Sequence, residues 1–520
     1  MNNFNIFDNI PKSYWLESTE RTNYPKLDEN IHVDIAIVGG GMVGILTAYQ
    51  LQEYDFNIAL LEAENVVEST TAHTTAKLTS QHDLIYYKIK KERGFDLALQ
   101  YAEANENAIH EIKKIADENN IDCDYSLQSA YIFTQEDKYV KKLEDEVKTA
   151  KSLGINAYLT DNIPLPIDIK SALVFENQAQ FHPRKFLIPL AEKIHNNGVK
   201  IHEKTRAIEL NKKDDKYIIN TSQGKTVTAD IVIIASHYPF YNKKAMYYSR
   251  IYVERSYAIA IKAKEKFPGG LYINTDIPTR SLRSLPTEDG ELILVVGENH
   301  KTGQGEDMNN HYKALLNFAE EVFSVENVPY RWSTQDCMTM DKIPYIGQYA
   351  SDTPNLYIAT GFQKWGMTTS MASSIILKDL IVTGESPWAD VFNPSRKNIS
   401  GSAKEFIAQN VNVAGQLLGG KISKEPEKIV IESGEGKILN IDGEKTGAYR
   451  DEEGELYFVN TTCTHMGCEL NWNSAERSWD CPCHGSRFTY RGHIIQGPAV
   501  KPLTFDRDVN TIKKLLNEDF

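Results

Sequence analysis

The sequence predicts an α/β fold in which a Rossmann-like domain is interrupted by an antiparallel sheet and followed by a small all-β domain. An apolar run at 33–38 leads into a glycine-rich turn and then into a helical pattern of apolar residues. Short β-type runs separated by turn residues occupy 250–297. Short runs punctuated by glycine return after 425, in a stretch that holds four of the six cysteines.

Length and composition indicate a globular protein with more than one domain. The 520 residues, of which 41% are hydrophobic, are enough for two or three domains with large cores. The net charge of −14 argues against nucleic acid and against an anionic membrane surface as partners, because either would require a basic face. No run approaches the roughly 18 apolar residues of a membrane span, and the first 30 residues lack the apolar segment of a signal peptide. We therefore expect a soluble, cytoplasmic protein.

The glycine-rich turn has the GxGxxG spacing of dinucleotide-binding folds. Gly39 permits a tight turn, Gly41 lets a pyrophosphate approach the backbone, and Gly44 lets the following helix pack on the strand. Met42 and Val43 open that helix, and we expect its N-terminus to face the phosphates.

A second strand at 57–61 ends in Glu62, an acid placed to accept hydrogen bonds from ribose hydroxyls. Glu62 lies 18 residues after Gly44, a spacing typical of this type of fold. An acid at this position would also repel a 2′-phosphate. The glycine turn alone could be a chance glycine loop, but the two strands, the helix and the acid together predict a dinucleotide site.

Five later segments resemble FAD-dependent flavoproteins of the D-amino-acid oxidase and glycine oxidase type. They are the loop at 69–79, the helix start at His182-Pro183, the strand region at 198–207, the segment at 341–347 that is similar to the family's DGxPxIG, and the glycine-containing segment at 361–368. The resemblance spans about 30 to 385 and implies FAD as the cofactor, in a Rossmann-like domain of the glutathione-reductase type. Beyond the glycine turn and Glu62, it implies FAD contacts at Thr71, His73, Lys77, Ala207, Gly347, Gly361, Phe362, Lys364, Trp365, Gly366, Met367 and Thr368.

The same resemblance divides the first 400 residues between two kinds of segment. FAD-binding segments are expected at about 30–82, 175–240 and 335–390, and an inserted antiparallel-sheet substrate domain at about 83–174 and 241–334. In the substrate domain Arg283, and less favourably Arg280, could clamp a substrate carboxylate with two hydrogen bonds. A solvated cation on an edge strand is the alternative for both arginines.

Three further side chains are candidates for a place against the flavin ring. Lys77 and Lys364 fall in loops that contact flavin in the resembled family, and a fixed cation there would stabilise the anion of reduced FAD. Surface lysines are the alternative. His73 falls where relatives of the dimethylglycine dehydrogenase type attach FAD covalently, with a non-covalent neighbour or a packed histidine as alternatives. Cys337 is interpreted as a buried free thiol, because its offset from Asp341 does not fit the covalent sarcosine oxidases.

Two short boxes near the C-terminal end each offer one cysteine and one histidine as metal ligands. Cys463 and His465 form the first box and Cys481 and His484 the second, with 15 residues between them. One donor of each kind per loop suits a [2Fe–2S] cluster with two thiolates on one iron and two imidazoles on the other. A zinc knuckle is the alternative, although zinc boxes usually come as CxxC paired with CxxC or HxxxH.

This stretch closely resembles a Rieske centre. The resemblance implies Cys463 and Cys481 on one iron, His465 and His484 on the other, and a disulfide between Cys468 and Cys483. That disulfide is in tension with a reducing cytoplasm. Ser486 falls where the family places a hydroxyl that donates to a bridging sulfur. Phe488 stands in place of the usual tyrosine, so one hydrogen bond to a cysteine sulfur should be lost unless Tyr490 replaces it.

The last two predicted units are a helical connector at 401–424 and the Rieske domain at 425–520. Apolar residues recur at helical spacing in the connector, at 406, 407, 411, 413, 417 and 418. We expect this face to hold the last domain close to the FAD domain. A helix that only completes the core of the first domain is the alternative.

These parts predict an FAD-dependent dehydrogenase that oxidises an amine or an amino acid, possibly N-substituted, and passes electrons through the cluster to an unidentified external acceptor. Flow from NAD(P)H is disfavoured, because no second GxGxxG follows a strand. Two alternatives remain: an oxidase in which O₂ reoxidises FAD and the cluster is auxiliary, and a non-catalytic redox sensor or electron-transfer module.

Overall fold

The computed structural model describes residues 6–7, 10–396, 400–419, 430–441 and 444–507. The predicted connector lies partly outside these ranges, at 420–424. The predicted Rieske domain also lies partly outside them, at 425–429 and at its end, 508–520. Within the described ranges the structure confirms the predicted fold class, with two large sheets followed by a small all-β domain. The described chain has no helix that is both long enough and apolar enough to cross a membrane.

The chain starts one sheet, leaves it for a helical excursion, and then returns to it. The first pass comprises α1 (Tyr14–Glu17), β1 (Ile31–Val38), α2 (Met42–Leu51) and β2 (Ile58–Leu61), and β3 (Lys77–Leu78) then belongs to the second sheet. The excursion comprises α3 (Ile85–Arg93), α4 (Phe95–Glu118), β4 (Ser126–Thr134), α5 (Asp137–Ser152), β5 (Ala157–Thr160) and β6 (Ser171–Gln180). The break between its first two helices falls at Gly94, whose φ of 94° favours glycine.

The return begins at a capped helix. Pro183 occupies the first turn, where a missing N–H costs nothing, and the His182 ring accepts a hydrogen bond of 3.2 Å from the N–H of Lys185. This pass comprises α6 (Pro183–Asn196), β7 (Lys200–His202), β8 (Ala207–Lys213), β9 (Lys216–Thr221) and β10 (Thr226–Ile234).

The remaining elements complete the second sheet and the C-terminal domain. They are β11 (Ile251–Ala263), β12 (Leu271–Asn274), β13 (Arg280–Thr287), β14 (Gly290–Lys301), α7 (Asn309–Val322), β15 (Val325–Thr339), β16 (Tyr345–Gln348), β17 (Leu356–Thr360), α8 (Gly366–Val382), α9 (Ala389–Phe392) and α10 (Ser400–Gly419). The C-terminal domain follows as β18 (Gly436–Ile441), β19 (Glu444–Arg450), β20 (Leu456–Asn460), β21 (Asn471–Asn473), β22 (Ser478–Asp480), β23 (Arg487–Thr489) and β24 (Ile494–Gln496).

The first sheet has the strand order β16-β17-β10-β1-β2-β7, with β8 and β9 as a hairpin beside β10. Strand β1 runs parallel to both β2 and β10, and β10 runs parallel to β17. The carboxyl ends of these strands therefore meet at one edge, where the glycine turn begins. This is the edge at which open parallel sheets bind dinucleotides.

The second sheet has the order β15-β11-β14-β13-β12-β4-β6-β3, with β5 beside β6. Its long strands β15, β11, β14 and β13 are antiparallel neighbours, as predicted for the inserted domain. Side chains alternate between its faces. Glu254 and Ser256 of β11 therefore lie on one face, and Arg255 and Tyr257 on the other.

The C-terminal domain consists of two small sheets, β18-β19-β20 and β21-β22-β23-β24. Both metal-ligand boxes lie in its loops, one before β21 and one between β22 and β23. Helix α10 precedes it as predicted, but with a different docking face. Ile407, Val411 and Leu417 are 62%, 65% and 36% exposed, while Val413 packs against the core around the cysteines.

Candidate functional site

One cavity of about 1120 Å³ is lined by both large sheets and by the C-terminal domain. Its volume is above the roughly 300–1,000 Å³ of an ordinary small-molecule site, so it can hold a dinucleotide together with a substrate. The N-terminal half of the lining includes the glycine turn, the loop at 69–75 and Lys77. The rest includes 362–367, one face of the second sheet, and Glu476, Arg487, Thr489 and 493–500 of the C-terminal domain.

The glycine turn fits the pyrophosphate of a dinucleotide. Gly39 has a φ of 118°, and a Cβ there would collide with the carbonyl of Ala235. A Cβ at Gly44 would collide with the carbonyl oxygen of Gly39, so only glycine lets α2 approach the turn. Gly41 caps α2, whose first residues Met42 and Val43 line the cavity. The N-terminus of α2 therefore faces the space that a phosphate would occupy.

Glu62 braces the glycine turn from the end of β2. Its carboxylate accepts hydrogen bonds from the N–H groups of Gly40 (2.7 Å) and Glu64 (2.9 Å). Burial raises the pKa of Glu62, against the lowering effect of these hydrogen bonds. Thr71 joins the same arrangement, because its hydroxyl accepts a hydrogen bond of 3.3 Å from the N–H of Met42. Glu62, Thr71 and Ala207 all line the cavity.

Lys77 is a buried cation on the wall formed by the second sheet. Its ammonium donates to the carbonyl of Tyr272 at 2.8 Å and to the hydroxyl of Ser281. Burial, and secondarily the charge of Arg283, lowers the pKa of Lys77 to about 7. An amine with such a pKa can take up or release a proton near neutral pH.

The structure places Arg283 behind the loop that carries Lys77. Its Nη1 donates to the carbonyls of Thr75 (2.9 Å) and Ala76 (2.7 Å), and its Nε donates to the carbonyl of Ser284. It does not line the cavity. These bonds support the loop, and the carboxylate clamp expected of Arg283 stays a prediction. Arg280 forms an ion pair with Glu298.

Lys364 reaches the second sheet from the opposite side of the cavity. Its ammonium donates to the Ser256 hydroxyl at 2.8 Å and lies 3.3 Å from a carboxylate oxygen of Glu254. Phe362, Trp365, Gly366 and Met367 of the same segment also line the cavity. Lys77 and Lys364 therefore both line the cavity, and they bond to different strands of the second sheet.

Four residues predicted to contact FAD lie outside the cavity lining: Gly44 in the glycine turn, and Gly347, Gly361 and Thr368 in later segments. Gly347 pairs with Ile358 between β16 and β17, with Pro394 beside it. Gly361 has a φ of 74° and turns the chain beside Thr339. The hydroxyl of Thr368 donates to the carbonyl of Thr79 at 3.0 Å.

His73 lies at the end of the cavity nearest the C-terminal domain. Its ring Nδ1 is 2.8 Å from the carbonyl of Ser69, and its own carbonyl accepts a hydrogen bond of 3.1 Å from the Trp332 indole. Burial lowers the pKa of His73, and Glu476 of the C-terminal domain acts in the opposite direction. The covalent attachment considered for His73 stays a prediction.

The acid of the 341–347 segment has a structural role. Asp341 accepts hydrogen bonds from Arg396 at 2.8 and 2.9 Å and from Arg93 at 2.7 Å. The positive charge of Arg396, helped by Arg93, outweighs burial and lowers the pKa of Asp341 to about 2. This network ties the helical excursion to the segment after α9. Cys337 is a buried free thiol, as predicted.

Sequence reasoning missed two acids and an arginine at the cavity: Glu254, Asp336 and Arg255. Glu254 and Asp336 are directly opposite one another on β11 and β15. Only strand register brings them together, and no motif records it. Arg255 is 1% exposed, and its Nε and Nη1 have no hydrogen-bond partner in the described chain. It lies on the other face of the sheet, where Glu476, Asp480 and Arg487 influence its pKa.

The two boxes of the C-terminal domain fit a cluster with two sulfur and two nitrogen donors. Cys463 and Cys481 are free and buried, while Cys468 and Cys483 form the disulfide that the resemblance implies. The Cys481 sulfur lies within 4.8 Å of both disulfide sulfurs, but sulfurs bonded to each other cannot serve as thiolate ligands. The His465 and His484 rings are 5.0 Å apart, and the buried Nδ1 of each has no partner in the described chain.

The surroundings of the boxes agree in part with the predicted hydrogen bonds. A hydrogen bond with Cys481, the main cause, lowers the pKa of Cys463 to about 7, and the Ser486 side chain acts in the same direction. The Ser486 hydroxyl also accepts a hydrogen bond of 3.0 Å from the N–H of Ala499. Phe488 is buried, and Tyr490 packs on Tyr449 and Tyr457 at 4.8 and 5.0 Å. Tyr490 is therefore engaged elsewhere.

Hydrogen bonds join the C-terminal domain to the second sheet and to the helix and loop beside that sheet. Gln335 of β15 donates to the carbonyl of Gly485 at 3.0 Å, next to His484. The Tyr312 hydroxyl of α7 donates to Glu476 at 2.7 Å. Further bonds run from Asn471 to the carbonyl of Gly303 (2.7 Å) and from Gln304 to the carbonyl of Pro482 (3.2 Å). The second metal-ligand box therefore rests on the sheet that walls the cavity.

Two family models match the chain. FAD dependent oxidoreductase (DAO) matches residues 34–380, and the Rieske [2Fe-2S] domain matches residues 426–513. YhfW of Bacillus subtilis (strain 168), which is named as a Rieske 2Fe-2S iron-sulfur protein, is 43% identical over 504 residues, covering 97% of this chain and 99% of that protein. Gamma-glutamylputrescine oxidoreductase of Escherichia coli (strain K12) is 22% identical and covers 73% of this chain and 91% of that protein.

Solved structures show the same fold for the first part. Glycine oxidase from Geobacillus kaustophilus superposes with a TM-score of 0.59 at 16% identity, covering 71% of this chain and 99% of that chain. L-proline dehydrogenase from P. horikoshii superposes with a TM-score of 0.57 at 17% identity, covering 72% of this chain and 98% of that chain.

Proposed function

The chain belongs to the FAD dependent oxidoreductase family and carries a Rieske [2Fe-2S] domain, and from this premise we propose that it is an amine or amino-acid dehydrogenase that delivers electrons to an external acceptor. When bound, FAD would accept a hydride from a carbon that bears nitrogen, and the cluster would transfer single electrons. We further propose that the protein works in the cytoplasm.

One observation carries this proposal: the same cavity is lined by the glycine turn and by the C-terminal loop 497–499. The N–H of Ala499 in that loop donates to Ser486, which lies two residues after His484 of the second metal-ligand box. The proposed flavin site therefore shares its cavity with a loop that is bonded to a residue near the second metal-ligand box. A cluster that served only to stabilise the fold would not need this proximity.

The residues of the chain divide the work as follows. The glycine turn and Glu62 hold the dinucleotide, and Cys463, Cys481, His465 and His484 hold the cluster. Lys77 and Lys364 place positive charge at two sides of the cavity, where it would stabilise an anionic reduced cofactor. Lys77, with a pKa of about 7, is also able to exchange a proton with an amine.

The test is an anaerobic titration of the purified holoprotein with a panel of amines and N-methyl amino acids, followed by visible absorbance and EPR. We expect one or more compounds to bleach the flavin and then to produce the EPR signal of a reduced Rieske cluster. Bleaching without that signal would contradict internal electron transfer. Reoxidation of the flavin by air faster than cluster reduction would favour an oxidase, and a flavin that no compound reduces would favour a redox sensor.

A variant without the cluster provides the matched control. In Cys481→Ser the flavin should still bleach with the active compound, and the EPR signal should be absent. Reoxidation by an artificial one-electron acceptor should then be slower than in the wild-type protein. Equal reoxidation rates would show that electrons leave the flavin without using the cluster.

A further inference from the structure

An acidic pair stands at one end of the cavity. Glu254 of β11 and Asp336 of β15 are directly opposite in the antiparallel register, and both line the cavity. Side chains at such positions have Cβ atoms about 4.5–5.5 Å apart, where like charges destabilise the sheet. The pair therefore requires positive charge nearby.

Lys364 forms an ion pair with Glu254, and its charge also acts on Asp336. Its ammonium is 3.3 Å from Glu254, which also accepts a hydrogen bond of 2.9 Å from Asn299. Asp336 has neither a hydrogen bond nor an ion pair among the residues that the structure describes, although it is only 9% exposed. Burial raises the pKa of Asp336 to about 6, with Lys364 opposing and Glu254 adding to the rise. A buried carboxylate without a partner is costly unless a ligand supplies one.

The arginines near the cavity do not offer a comparable site for an anion. Arg283 is committed to the carbonyls of Thr75 and Ala76 and lies outside the lining. Arg280 is paired with Glu298. Arg255 also lines the cavity, but it alternates with Glu254 along β11, and its charge is offset by Asp480 and Glu476 of the C-terminal domain. Among the described side chains that line the cavity, Asp336 is a buried carboxylate without an ion pair, while Lys77 is a cation held by the Ser281 hydroxyl and the Tyr272 carbonyl.

We propose that Asp336, assisted by Glu254, binds a cationic group of the substrate, so that the substrate is an amine with a second positive charge. This deepens the proposed function and rests on it. A diamine or polyamine would place one nitrogen at the carbon to be oxidised and the second ammonium at Asp336. An amino acid whose carboxylate pointed to this end would be repelled.

The experiment compares two amines that differ only in the second charge, putrescine and n-butylamine. Each is titrated anaerobically into the holoprotein, with the perturbation of flavin absorbance giving Kd and bleaching giving reduction. We expect putrescine to bind at least about tenfold more tightly, because one charge-assisted hydrogen bond contributes about 1.5–3 kcal/mol. The preference should disappear in Asp336→Asn and weaken in Glu254→Gln.

Glu326→Gln is the matched control, since Glu326 lies on the same strand β15 but outside the cavity. It should keep the full preference for putrescine, and the FAD content of every variant checks folding. Equal affinity for both amines in the wild-type protein, or a preference that survives in Asp336→Asn, would overturn the inference.

Binding and reduction separate this inference from the function on which it rests. Flavin that is reduced by n-butylamine or glycine as readily as by putrescine would overturn the cation site and leave the proposed function intact. Flavin that is perturbed by putrescine with the expected preference, but is reduced by no amine or amino acid, would overturn the proposed function and leave the cation site intact.

Discussion

The two cofactor sites of this chain are built in opposite ways. The four proposed cluster ligands lie between Cys463 and His484 and come from two loops of one small domain. The proposed FAD residues extend from Gly39 to Thr368 and come from both large sheets. The cluster site is a local structure in which the Nδ1 atoms of both histidines have no partner in the described chain, while the flavin site depends on how distant segments pack.

This difference determines how each site should respond to substitution. A local site no longer binds its cofactor when one donor is lost, and the structure of the rest of the molecule is retained. A distributed site fails when the packing of a segment is disturbed, even where the substituted residue does not touch the ligand. The following four predictions test this contrast.

Cys463→Ser should abolish the cluster while leaving FAD in place. The loss of one thiolate leaves three of the four donors, and iron and sulfide content should fall to nearly zero. Metal and sulfide analysis together with flavin absorbance measures both outcomes. Cys123→Ala, at a buried free thiol outside the boxes, is the control and should retain the cluster. Zinc in place of iron in the wild-type protein would contradict the assignment.

Gly44→Ala should release FAD while leaving the cluster in place. The new Cβ meets the Gly39 carbonyl, so α2 must move away from the glycine turn. We expect FAD affinity to fall at least about tenfold, because pyrophosphate binding depends on that turn. Gly415→Ala in α10, where a Cβ meets nothing within 4 Å, should keep FAD and stabilise the helix by up to about 1 kcal/mol. Full FAD content in Gly44→Ala would contradict this account.

Lys77 should make stability depend on pH. Its folded-state pKa of about 7 lies below the ordinary 10.5, so the unfolded state binds more protons between these values. Stability from this group is therefore low below about pH 7 and rises by up to about 1.4 kcal/mol per pH unit above it. Denaturant unfolding from about pH 7 to 9 should show this rise in the wild-type protein but not in Lys77→Met.

Lys77→Arg is the matched variant for that experiment. A guanidinium stays charged throughout this pH range, so this variant should also lack the rise while being less stable than Lys77→Met. Parallel stability curves for the wild-type protein and Lys77→Met would contradict the predicted burial of a titrating amine.

Tyr312→Phe should have the smallest effect, because it removes one hydrogen bond between the two parts of the molecule. The lost bond joins the hydroxyl to the carboxylate of Glu476 and is worth about 1.5 kcal/mol. The denaturant midpoint for loss of cluster absorbance should decrease, with both cofactors still bound. Tyr54→Phe, at a side chain that is 39% exposed, should leave the midpoint unchanged. An equal decrease in both variants would show that the interface bond is not the cause.

The local parts of the molecule could be predicted from the sequence. The boxes at 463–486 and the turn at 39–44 are short, and their chemistry depends on residues a few positions apart, so spacing alone indicated their structure. The strands at 33–38 and 57–61 were also predicted close to where the structure has them, as β1 (Ile31–Val38) and β2 (Ile58–Leu61). In each case neighbours in sequence determine the conformation.

The contacts between distant segments could not be predicted in the same way. Glu254 and Asp336 meet only because β11 and β15 pair in one register, and a shift of one residue would place them on opposite faces. Arg283 was expected to face a substrate, but its side chain bonds to the loop behind Lys77. The apolar spacing of α10 indicated a helix but not which face docks, because exposure depends on the partner surface.

The bonds that hold the C-terminal domain on the second sheet have a kinetic consequence. Contacts from Gln335, Gln304, Asn471 and Tyr312 fix the second metal-ligand box against the wall of the cavity. A domain held at this many points does not need to diffuse between two positions to exchange electrons. We therefore expect the rate of cluster reduction after flavin bleaching to be the same in buffer and in viscous sucrose solution, whereas a swinging domain would slow in proportion to viscosity.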